Sequence, residues 1–137
     1  MNQEMPVFCS RVISMERTEI FPKHVGIHAN QLLKVMTSTA LRLCGGYQSD
    51  RWPYWEVSNG TFYIACGEQH TMLKVSNLKN GYKGMVSADA VGVSASLLAF
   101  EKLAVETKEQ VFRELSEKLK EYAMKHPEAE EIFKITN

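Results

Sequence analysis

Tyr54-Trp55-Glu56-Val57-Ser58-Asn59-Gly60-Thr61-Phe62-Tyr63-Ile64-Ala65 is the stretch whose reading decides the fold. Asn-Gly between two alternating, aromatic-rich runs is the signature of a two-residue type I′ hairpin, because both turn residues must take positive φ. That turn sets Ser58 opposite Thr61, Val57 opposite Phe62, Glu56 opposite Tyr63 and Trp55 opposite Ile64. One face then collects Trp55, Val57, Phe62 and Ile64, all apolar. The other collects Tyr54, Glu56, Ser58, Thr61 and Tyr63. A slip of one residue would put Trp55 and Phe62 on opposite faces, so burial is expected to enforce the register.

Downstream, Thr71–Ser76 and Tyr82–Val86 flank Asn80-Gly81 and read as a second hairpin. Two hairpins in succession predict an antiparallel meander of about four strands with helices packed on one face, an α+β fold. The covering helix is expected over Ala88–Val105. Ser87 caps it, and Asp89 in its first turn suits the positive end of the macrodipole. Seven of the twelve residues from Ala88 to Ala99 are small, which allows close backbone approach and predicts burial against the Trp55/Val57/Phe62/Ile64 face. Thr107-Lys108-Glu109-Gln110 reads as a capping box for a further helix with Val111, Leu115, Leu119 and Tyr122 inward. His126-Pro127 ends it, and Pro127 can open a short final helix carrying Ala129, Ile132 and Phe133.

Upstream, a helix is expected from about Gln31 to Cys44, capped by Asn30 and stopped by Gly45. Residues 1–29 read as an irregular amino-terminal arm, broken by Pro6, Pro22 and Gly26, with one strand at Val7–Ser14. The whole length of 137 residues suits a single domain, 1–137.

Sixteen Lys and Arg balance sixteen Asp and Glu. A general binder of nucleic-acid backbones needs a basic excess, and a protein imitating DNA needs a dense acidic surface. Neither is present. Cys9, Cys44 and Cys66 form an odd set without a CxxC pair, which suggests buried thiols in a reducing cytoplasm. The longest uncharged stretches have eleven residues, too few to cross a bilayer.

His24 and His28 have the i,i+4 spacing of two ligands on a helix, but Pro22 and Gly26 disturb any helix there and no HExxH occurs. Cys66 and His70 could serve as nucleophile and base, although Cys66 closes a strand as a structural thiol would. Gly45-Gly46 follows a helix and lacks the Lys-Ser/Thr of a phosphate loop, so it reads as a stop. The N–H groups at Ser87-Ala88-Asp89 could hold an anion, but Asp89 already supplies negative charge. Six of the thirteen aromatics lie between Tyr47 and Tyr63, with Arg51 the interleaved cation. Half of the hairpin's four, Trp55 and Phe62, are assigned inward, and Arg51, Trp52, Tyr54 and Tyr63 stand as a candidate interaction surface. The residues alone describe a soluble α+β domain with no catalytic group, metal or cofactor.

Three blocks add to this reading. Trp55-Glu56-Val57-Ser58-Asn59-Gly60-x-Phe62-Tyr63 is followed by Gly84-x-x-Ser87-Ala88-Asp89-Ala90-x-Gly92 and by His126-Pro127-Glu128-Ala129. With Phe21-Pro22 and Gly45-Gly46-Tyr47 they run in order over nearly the whole chain, and the set resembles the ArdB/KlcA antirestriction family. The resemblance implies a small cytoplasmic α+β protein of plasmids, prophages and genomic islands. Such a protein protects incoming DNA from type I restriction while sparing modification, and it is distinct from acidic DNA mimics. Its partner would be the type I restriction-modification complex or a host factor controlling it, with no stable DNA binding. Cys66 stands where relatives often have proline, and Asn137 where they have an acidic terminus. Rival readings are a small intracellular enzyme using Cys66/His70 and a nucleic-acid-binding module using Arg51 and the outer-face tyrosines.

Overall fold

In the computed structural model, Gly60 takes a positive φ of +102° while Asn59 does not. The first hairpin therefore closes through three residues, Ser58-Asn59-Gly60, instead of two. Val57 N–H donates to Thr61 O at 2.9 Å, and Gly60 N–H to Val57 O at 3.0 Å. The strands β2 (Tyr54–Val57) and β3 (Phe62–Ile64) pair Tyr54 with Ile64, Trp55 with Tyr63 and Glu56 with Phe62. The expected register is thus displaced by one residue, and Trp55 and Phe62 lie on opposite faces. Tertiary contacts account for the displacement. Asn59 Nδ2 donates to Lys118 O at 2.9 Å, and Thr61 Oγ1 to Leu115 O at 2.9 Å. These bonds moor the loop to a helix almost sixty residues away.

The structure describes residues 9–11, 17–45, 52–68 and 71–137. The α+β class and the antiparallel hairpins are as expected, but the continuous meander is not. Strand β1 (Cys9–Arg11), within the expected Val7–Ser14 segment, joins β2 and β3 in a three-stranded sheet of order β1-β2-β3. Strands β4 (Met72–Asn77) and β5 (Tyr82–Ser87) form a separate two-stranded sheet. The division has a visible cause at the outer edge of β3, where Ile64 N–H donates to Ser96 Oγ at 3.3 Å. Ser96 belongs to α3 (Ala88–Thr107), so a helix occupies the edge that a fourth strand would need.

Helix α3 is buried at fourteen of its twenty positions and is the axis of the core. The elements α2 (Ala29–Leu43), α4 (Gln110–Met124), α5 (Ala129–Thr136), β3, β4 and β5 all pack on it. Ser87 caps it as expected, its hydroxyl accepting the Ala90 N–H at 3.1 Å. The small-residue surface does meet the sheet, but at its edge. At Gly92 the helix comes so near the Ile64–Ala65 backbone that an added Cβ would stand 2.2 Å from Ile64 O.

Three local expectations need correction. Residues 17–28 are helical, with α1 over Arg17–Val25 and a 3-10 turn over Gly26–His28. Pro22 forgoes one helical N–H, but Ile20, Phe21 and Val25 are buried and outweigh that loss. Helix α2 starts at Ala29, directly from this turn, without the Asn30 cap, and Gly45 follows its end with φ +65°. The Thr107 capping box does not form. Thr107 closes α3, its hydroxyl donating to Leu103 O at 2.7 Å and accepting the Glu109 N–H at 3.2 Å.

Candidate functional site

The register displacement puts Tyr63 inside, where the sequence reading had it on an outer surface. Its side chain is fully buried and stacks between Trp55 and Tyr122, with ring centroids 6.5 and 5.7 Å apart. Its hydroxyl donates to Asp89 Oδ1 at 2.7 Å. Tyr54 is half-buried against Phe21, and Trp52 is half-buried on the core. Arg51 lies outside the described residues. The four candidate surface residues therefore do not form one exposed aromatic patch.

Around Tyr63 is a polar cluster that sequence reading did not assemble. Asp89 Oδ2 meets His126 Nε2 at 2.8 Å, with both side chains almost wholly buried. His126 Nδ1 accepts the Glu128 N–H at 2.9 Å, which places the ring proton on Nε2, donating to Asp89. The Glu128 carboxylate turns back to Ser87, accepting its N–H at 3.0 Å and its hydroxyl proton. The positive end of α3 is thus answered by Glu128 from the α4–α5 turn as well as by Asp89. An external anion would have to displace Glu128.

Tyr63, Ser87, Asp89, His126 and Glu128 come from three separate sequence blocks and meet as one buried clasp. Both oxygens of Asp89 and both nitrogens of His126 are engaged. The imidazole has no lone pair left for a substrate, so the cluster joins β3, α3 and the α4–α5 turn instead of activating a nucleophile. The sequence shows only local spacings, His126 two residues before Glu128 and Asp89 two after a capping serine, and nothing in it joins the two across thirty-seven residues.

The other candidate chemistry is dispersed. Cys66 is buried, its thiol 3.6 Å from Ala88 O, and the neighbouring Cys44 thiol together with burial pushes its pKa far up. It is held as a neutral thiol, the reverse of an activated nucleophile. His70 lies outside the described residues. His24 stacks on Phe62 at 4.6 Å, while His28 stands edge-on to Phe112 at 5.4 Å. Among the described residues, no three His, Cys, Asp or Glu side chains could hold a metal ion. No described helix is long and apolar enough to cross a membrane.

The convergence of these blocks invites comparison with known proteins. A family model described as antirestriction protein matches residues 45–137. The chain belongs to the ArdB/KlcA antirestriction family. An Escherichia coli antirestriction protein KlcA is 31% identical over 137 residues, spanning 96% of both chains. Another Escherichia coli KlcA is 33% identical over 107 residues, 74% of this chain and 70% of the relative. A solved structure matches with a TM-score of 0.88 at 30% identity over 100% of each chain. It comes from work describing KlcA and ArdB proteins as having a novel fold and antirestriction activity against Type I DNA restriction systems in vivo but not in vitro. Within this family, the Tyr63–Asp89–His126 clasp is the internal frame of this chain.

Proposed function

We propose that this chain counteracts type I restriction inside the cell and spares modification, without enzymatic action and without imitating DNA. The observation that carries the reading is the full-length likeness to the KlcA/ArdB structure, at TM-score 0.88. The balance of sixteen basic and sixteen acidic residues supports a mechanism other than a polyanionic decoy. Saturation of the buried His126 and Asp89 by internal partners favours a binding role over a catalytic one. On this reading the chain acts as one cytoplasmic domain. It meets the restriction-modification complex or a host factor controlling it, and the partly exposed edges of Trp52 and Tyr54 contribute to the contact.

The test is expression in cells with an active type I system. Plating of unmodified phage should rise towards the level seen in cells without restriction, while host DNA stays methylated. Unchanged plating with soluble protein present would refute the function. Loss of host methylation would refute the sparing of modification.

A further inference from the structure

Away from the clasp, α2 and α3 leave between them a groove of about 380 Å³, closed at one end by the β4–β5 turn. That is the size of small-molecule sites in general. Its walls are unlike each other. Val35, Leu98 and Val105 give an apolar side, and Val105 is 77% exposed. Arg42, Lys79 and Lys102 bring three cations to the same space, against one carboxylate, Glu106.

Lys102 and Glu106 satisfy each other at 3.7 Å. Arg42 and Lys79 have no ion pair among the described residues, so the groove keeps two uncompensated positive charges. A second observation points the same way. Thr39 lines the groove and is only 5% exposed, yet its hydroxyl makes no hydrogen bond among the described residues. Its neighbours Thr37 and Ser38 both return their hydroxyls to helix carbonyls. The Thr39 oxygen is not among the buried atoms left without a partner, so it opens to the groove, where a ligand can take the place of water.

We propose that this groove binds an organic phosphate of about nucleotide size. Its phosphate lies between Arg42 and Lys79, and its flat body lies on Val35, Leu98 and Val105. Two unpaired cations match the charge of about −1.5 to −2 on a phosphate monoester, where a carboxylate would neutralise one alone. Arg42 supplies the fork that reads phosphate oxygens in pairs. Thr39 offers its hydroxyl to the ligand. The site is independent of the antirestriction reading and needs no net basic charge, because the excess is local.

The experiment is an amide NMR titration of the intact protein with adenosine 5′-monophosphate, inorganic phosphate and adenosine as separate probes. The nucleotide should shift resonances of α2 around Thr39–Arg42 and of α3 around Leu98–Val105. Inorganic phosphate should bind the same place about tenfold more weakly or worse, and adenosine more weakly still. Arg42→Gln and Lys79→Gln alter exposed side chains and should each weaken nucleotide binding about tenfold with the spectrum otherwise intact. Thr39→Val keeps the side-chain shape and should weaken it less. Absence of shifts at millimolar nucleotide would overturn the proposal. So would shifts unaffected by the Arg42 and Lys79 changes, or inorganic phosphate binding as tightly as the nucleotide.

Discussion

His126 and His24 show how differently one residue type is held by the same fold. His126 is fixed by what it bonds: Asp89 accepts its Nε2–H, and the Glu128 N–H fills its Nδ1. Asp89 accepts from two donors, Tyr63 and His126. Asp89→Asn keeps the shape but turns an NH2 group towards one of them. The expected loss is about 1.5–3 kcal/mol in urea denaturation, and an unchanged midpoint would show that the clasp does not hold the fold. His24 instead lies against Phe62, with its Nε2 unpartnered. Burial chiefly holds its pKa below 6.5; Glu56 opposes this, and Lys23 and Lys118 reinforce it. The unfolded chain therefore takes up a proton near pH 6.5 that the folded one refuses until lower pH. His24's contribution is complete above 6.5 and lost progressively as pH falls towards the folded value. His24→Phe retains a ring on Phe62 and should narrow the gap in urea midpoint between pH 7.5 and pH 5. An identical gap in the variant would rule out His24 as its source. Neither role was legible beforehand. The Asp89–His126 contact spans thirty-seven residues, and no local rule links a first-turn carboxylate to a helix-ending histidine.

Among the elements, the hairpin and α3 divide what sequence pattern can and cannot reach. Alternation and Asn59-Gly60 correctly located two strands and a turn. The register turned on whether Asn59 would take positive φ, and its amide bond to Lys118 O settled that from outside the hairpin. For α3 the small residues correctly foretold close approach. Composition could not say that the surface approached is a strand edge. Helix α1 was hidden because Pro22 and Gly26 outweighed Ile20, Phe21 and Val25, whose burial becomes visible only once the sheet is in place. Gly92 offers a decisive test because two effects oppose each other there. Helix propensity alone makes Gly92→Ala stabilising by about 1 kcal/mol. Sterics make it destabilising, since the new Cβ would sit 2.2 Å from Ile64 O and 2.4 Å from Ala65 Cα, backbone atoms that cannot rotate away. We expect sterics to win, with a net loss of about 1–3 kcal/mol in chemical denaturation. A gain would mean that α3 and β3 are not in contact.

For the molecule as a whole, charge separates the possible mechanisms of the proposed antirestriction activity. A decoy for a DNA channel must present a polyanion comparable to duplex DNA, with one charge per ~1.7 Å, and its grip must weaken steeply with salt. Here the most acidic segment, residues 101–137, carries nine acidic groups against seven basic ones. Several of those acidic groups are already paired: Glu101 with Lys120 at 3.0 Å, Glu130 with Lys134 at 3.4 Å and Glu106 with Lys102 at 3.7 Å. Seven basic minus nine acidic groups leave that segment a net charge of −2, far short of a polyanion laid along a DNA-binding cleft. Purified protein in large molar excess should therefore leave cleavage of unmodified DNA by a purified type I nuclease essentially unchanged at low and moderate salt alike. The same protein should raise phage plating in restricting cells. Adding cell extract to the purified assay should then restore inhibition, because the missing component would be a cellular one. Strong inhibition by the protein alone, fading as salt rises, would establish the decoy mechanism and overturn the one proposed here.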